Sequence, residues 1–60
     1  MQILKGVTYI FIFNINGRYL TYTGTVTDTS DSNFITFVDK YGVNFSYNCS
    51  TLISCEEIKK

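Results

Sequence analysis

Between Tyr19 and Thr27 the residue types alternate strictly. Leu20, Tyr22, Gly24 and Val26 fall on one side of an extended strand, and Thr21, Thr23, Thr25 and Thr27 on the other. Period two carried by β-branched and aromatic residues marks a half-buried β-strand. The strongest constraint is Gly24. A glycine in the middle of an inward face has no side chain to pack, so it marks a sharp bend or a close backbone approach. The polar run Asp28–Asn33 (DTSDSN) that follows is turn-forming chemistry throughout, and a further apolar strand is expected over Phe34–Asp39. A bent hairpin at the centre of a 60-residue chain predicts a sheet that curls into a small closed barrel.

The flanking segments read the same way. Met1–Gly6 is a lead-in, with Ile3 and Leu4 free to pack over a barrel end. Val7–Ile15 is a strand whose faces, Val7/Tyr9/Phe11/Phe13/Ile15 and Thr8/Ile10/Ile12/Asn14, are both apolar through the middle. A strand apolar on both sides is sandwiched or covered. Either a partner covers its second face, or the chain's own termini do. Asn16-Gly17 is the strongest hairpin signal, because a type I′ turn needs positive φ at both central residues. Arg18 leads into the alternating strand. In Phe34–Asp39, Phe34 and Val38 oppose Ile35 and Phe37. Lys40-Tyr41-Gly42 forms a tight turn, and Val43–Tyr47 points Val43, Phe45 and Tyr47 inward. Asn48–Thr51 is long enough for one 3₁₀ turn. Leu52–Glu57 completes the sheet, with Ile53 and Cys55 on one side and Leu52, Ser54 and Glu56 on the other.

Composition agrees with an all-β chain. Five Tyr and five Phe supply bulky burial, there is no Pro and no Ala, and Thr, Ile and Val are frequent. Sixty residues form one domain, 1–60, whose core is small for the surface it must bury. Five positive and five negative side chains balance to zero, without the basic excess that nucleic-acid binders carry. Low net charge also eases self-association. The Lys59-Lys60 end is offset by Glu56-Glu57. Cys49 and Cys55 read as free thiols in a reducing, cytoplasmic setting. The apolar run Val7–Phe13 is too short to span a membrane and lacks a cleavage site.

Catalytic chemistry finds little support. No His is present, so nothing titrates near neutrality without a strong perturbation. A cysteine nucleophile would need a base partner, and two cysteines without His are too few for zinc. Asp28, Ser30, Asp31 and Asn33 cluster oxygens, but not at the spacing of a calcium loop. Neither cofactor, metal nor small-molecule substrate is expected. Two kinds of binding residue stand out. Tyr9, Ile10, Phe11 and Ile12 are interface candidates, since one face of this strand needs a cover. Arg18, Tyr19, Asn33, Lys40 and Tyr41 could contact a partner, or stack and neutralise a single-stranded nucleic acid. Exposed Tyr beside Arg also suits a protein–protein hot spot.

Five strands, a second strand bent at a glycine and a one-turn break before the last strand resemble the SH3-like and Sm-like small barrels over nearly the whole chain. Asn16-Gly17-Arg18, Gly24, Asp28 or Asp31, and Asn33 echo the first Sm motif. The second motif, an Arg-Gly pair, is replaced by Tyr47-Asn48-Cys49-Ser50. The resemblance therefore implies a five-stranded, strongly bent antiparallel barrel with a 3₁₀ turn before its last strand. It carries an RNA-contact role to Asn33 alone. The reading is a non-catalytic module that binds a protein partner or itself, as a homo-oligomer, in the manner of a small phage- or plasmid-type regulator or inhibitor. The competing reading is a single-stranded RNA- or DNA-binding barrel.

Overall fold

The computed structural model describes residues 3–59. Met1, Gln2 and Lys60, parts of the expected lead-in and basic end, lie outside the described residues. Five strands follow in order: β1 Thr8–Ile15, β2 Arg18–Asp28, β3 Phe34–Val38, β4 Asn44–Asn48 and β5 Leu52–Glu57. A 3₁₀ turn over Cys49–Thr51 precedes the last. All neighbours are antiparallel, and the order across the single sheet is β4-β3-β2-β1-β5. The all-β, five-stranded expectation is met. The closure is not, because β4 and β5 end the order and are not hydrogen-bonded to each other.

The sheet nevertheless curls strongly. β1 and β4 are separated by two strands, which in a flat sheet would put them about 14 Å apart, yet the Phe13 and Tyr47 rings are 4.7 Å apart. Tyr9, Phe11, Phe13, Val26, Ile35 and Phe37 form the buried core inside the curl. Phe37 is its hub, with ring centroids 4.8 Å from Phe11 and 5.4 Å from Phe45.

Gly24 permits that curl. The register pairs Thr25 both with Thr8 of β1 and with Val38 of β3, so β2 passes from pairing with β1 to pairing with β3 at the residue after Gly24. A Cβ on Gly24 would collide with the Phe37 ring and lie 3.0 Å from the Val38 carbonyl oxygen. The close approach expected from the sequence is therefore that of β3 and its largest core residue. At the other end of β2 the hairpin is as expected, with Asn16 and Gly17 both at positive φ (53° and 82°).

Two inward assignments change, and the faces of β5 divide differently from strict alternation. Val43 lies just before β4 and is exposed, and Leu4 is exposed rather than packed over the end, although Ile3 does pack on the core. Leu52 packs on the core together with Cys55. The reason is a bulge: Ile12 pairs with Ser54 but Phe13 with Leu52. Ile53 is thus skipped, and one extra residue reverses the face parity of the strand. Ile53 itself is exposed.

At the rim of the core the Tyr22 and Tyr47 hydroxyls are 2.8 Å apart. That hydrogen bond, then burial, then repulsion from Tyr22, pushes the Tyr47 pKa up to about 12. A folded-state pKa above the usual tyrosine value contributes stability that is present below about pH 10 and is lost as pH rises from about 10 to about 12. Denaturation midpoints measured across that window should fall with pH. In Tyr22→Phe the Tyr47 phenolate should form at lower pH by near-ultraviolet absorbance. An unchanged titration would remove the hydroxyl pair as its cause.

Candidate functional site

The two apolar faces of β1 have separate fates. Tyr9, Phe11 and Phe13 point into the core, at 5%, 0% and 0% exposure. Tyr9 and Phe11 are therefore structural residues and not interface residues, which corrects half of the expected set. Ile10 and Ile12 point outward. They are half-buried and are absent from the residues that pack against the core. Their shielding comes from the strands on either side. Ile10 lies between Thr23 and Glu56, and Ile12 between Thr21 and Ser54.

This outer face extends across β2. The unbroken register from Ile15/Arg18 to Thr8/Thr25 puts Tyr19, Thr21, Thr23 and Thr25 on the same side as Ile10 and Ile12. The Thr8 and Thr25 hydroxyls lie 2.7 Å apart and satisfy each other. β3 ends at Val38, opposite Thr25, so the first half of β2 has no strand partner on that side. The β3–β4 turn stands there instead. Thr8, Thr21, Thr23, Lys40 and Tyr41 line a shallow groove of about 520 Å³ between turn and strand. Asp39 shapes the turn, its Oδ1 accepting the Tyr41 and Val43 N–H groups at 2.9 Å. The Lys40 ammonium lies 5.2 Å from the Tyr41 ring centroid.

The expected partner-binding residues are only partly brought together. Tyr19 and Tyr41 are 71% and 78% exposed, and both border the Ile10/Ile12 face or its groove. Arg18 is exposed at the start of β2, beside Tyr19. Asn33 stands apart, beyond the opposite end of β2. Its N–H donates to Asp31 Oδ1 and its carbonyl accepts the Cys49 N–H at 2.8 Å. That second bond ties the β2–β3 loop to the 3₁₀ turn. Asn33 and Arg18 thus do not form one platform.

Sequence reading missed the groove and its lining residue Thr8, because the groove depends on β3 being six residues shorter than β2. A second hollow, about 200 Å³, lies at the other end among Ile3, Asp28, Asp31, Phe34 and Cys49. There the Ser30 N–H donates to Asp28 and holds its carboxyl below the usual range. The Cys49 thiol donates to the Ser32 carbonyl at 3.4 Å, while burial pushes the Cys55 thiol up. Among the described residues no three His, Cys, Asp or Glu side chains gather as a metal site, and no helix is long and apolar enough to cross a membrane.

Compared with family models, with curated proteins and with solved structures, the chain matches none.

Proposed function

We propose that this chain is a non-catalytic binding module that docks a protein through the outer face of β1 and β2. The observation that carries this reading is the outward pair Ile10/Ile12 on β1, a strand flanked by β2 and β5, while the opposite face of that same strand fills the core. Apolar side chains in the middle of a sheet surface, ringed by Thr, Ser and Glu, have the layout of an interface centre with a polar rim. Tyr19 and Tyr41, exposed beside Arg18 and Lys40, add the residue types that dominate binding energy at protein interfaces. In this reading the barrel is of the SH3-like or Sm-like kind, works in a reducing compartment with both thiols free, and serves as a small regulator or inhibitor.

Ile10→Lys is the decisive substitution. The variant should stay folded by circular dichroism, because its new side chain projects away from the core. Phe11→Lys, aimed into the core, should unfold the chain. The folded Ile10→Lys protein should lose the contacts that a photo-cross-linker at Ile12 captures in native cells. Capture that persists undiminished would contradict the docking face.

Nucleic-acid binding remains the second reading because Lys40 and Tyr41 pair beside a groove. A phosphate-driven complex loses orders of magnitude in affinity between about 50 and 200 mM salt, whereas an apolar protein contact changes little.

A further inference from the structure

We propose that the first half of β2 accepts an added strand: an extended, acidic peptide segment of a partner protein. It pairs main chain to main chain with Tyr19, Thr21 and Thr23, in the groove beside the β3–β4 turn. Its contacts are with the backbone edge of β2 and not with the Ile10/Ile12 stripe, which puts it beyond the docking face above and independent of it.

Pairing parity identifies the free groups. Ile15 and Arg18 flank the two-residue Asn16-Gly17 turn, so they form a hydrogen-bonded pair, and such pairs alternate with non-bonded ones along an antiparallel ladder. Arg18, Leu20, Tyr22 and Gly24 therefore direct N–H and C=O toward β1, and Tyr19, Thr21, Thr23 and Thr25 direct theirs away. The far end of β2 keeps the same parity. There the Val26 N–H donates to the Val7 carbonyl at 3.0 Å, and the Val26 carbonyl accepts the Gly6 N–H at 2.8 Å. Thr25 meets Val38, the last residue of β3. Among the described residues the N–H and C=O of Tyr19, Thr21 and Thr23 meet no partner. They stand in a row, along the line that β3 would take if it ran on past Val38.

This edge is also unguarded. Sheet edges are blunted by charge, proline or a bulge, and β5 carries both a bulge and the Glu56-Glu57 pair. Tyr19–Thr25 has no charged residue, no Pro and an unbroken register with β1. From Tyr19 to Thr23 a strand rises about 14 Å, room for about five extended residues. The groove of about 520 Å³ has Thr21 and Thr23 on one wall and Lys40 and Tyr41 on the other, a volume within the ~300–1,000 Å³ of ligand clefts. In strand addition the main-chain bonds supply affinity and alternate side chains supply selectivity.

Charge selects the partner. Lys40 lines the groove and Arg18 begins the free stretch, both exposed. The anion beside them, Asp39, has its Oδ1 engaged by two N–H groups of its own turn. Glu56 and Glu57 are on β5, on the far side of β1. An incoming strand therefore meets cations, and an Asp or Glu side chain on it would face Lys40.

A phage-displayed heptapeptide library panned on the 60-residue chain supplies the probe. Enriched sequences should carry Asp or Glu and lack Pro at their central positions. With the enriched peptide bound, amide hydrogen exchange at Tyr19, Thr21 and Thr23 should slow by about tenfold or more, while Leu20 and Tyr22, already bonded to β1, should change little. Methylating one central peptide nitrogen at a time should weaken binding about tenfold at alternate positions only, and Lys40→Glu should weaken it by a similar factor. None of these readouts involves Ile10 or Ile12, so loss of the docking face would leave them unchanged. No enrichment, an enriched peptide that leaves the three amides unaltered, or methylation effects without alternation would overturn the proposal. Protection of the same amides that grows with protein concentration, without peptide, would put a second copy on the edge and overturn the acidic segment.

Discussion

Gly24→Val should leave the chain largely unfolded at room temperature. The first added carbon already meets the Phe37 ring and approaches the Val38 carbonyl to 3.0 Å. Neither neighbour can yield cheaply, because Phe37 is fully buried and the carbonyl belongs to the paired strand β3. Overpacking of this kind costs about 1–3 kcal/mol per insertion and more where backbone must move. The whole domain, at about 0.05–0.15 kcal/mol per residue, holds a margin of only a few kcal/mol. Denaturant titration of Gly24→Ala and Gly24→Val should show a graded loss, the valine being worse. Because Gly24 and Phe37 touch, their effects should be non-additive, and Phe37→Leu should recover part of the loss from Gly24→Ala. A valine variant with a native midpoint would mean that β2 can straighten without opening the core.

Phe37→Ala is the second large effect. Removing a buried Phe ring costs about 3–5 kcal/mol through lost transfer energy and the remaining cavity. Here the ring stacks between strands that are not neighbours in the sheet, near Phe11 on one side and Phe45 on the other. Its loss removes contacts that keep the sheet curled across the open seam between β4 and β5. The expected outcome is loss of cooperative unfolding, read as a flat thermal profile. Tyr19→Ala, at a position 71% exposed, should stay within about 0.5 kcal/mol of wild type. Similar midpoints for the two variants would contradict the core drawn around Phe37.

Much of this architecture was legible because it rests on local chemistry. The alternation from Leu20 to Val26 set the inward face of β2, Gly24 marked the close approach, and Asn16-Gly17 marked the hairpin. What was not legible rests on counting across strands. Nothing in the residues Leu52-Ile53-Ser54 announces that Ile53 will be skipped, and a strand whose parity flips midway defeats any reading by period two. The apolar character of both faces of β1 showed that one face needed a cover, but only pairing across the sheet puts Tyr9, Phe11 and Phe13 inside. The early end of β3, which leaves Lys40 and Tyr41 beside the first half of β2, is likewise a property of strand lengths in register.

In the proposed function, the outer face around Ile10 and Ile12 touches protein. Its most direct test replaces Ile12 with a photo-cross-linking residue, and separately Asn16 at the hairpin tip, and irradiates each variant in native cells. Discrete protein adducts are expected from position 12, few from position 16, and loss of the former when Ile10→Lys is added. Adducts of equal yield from both positions, or none from position 12 in a folded protein, would contradict it.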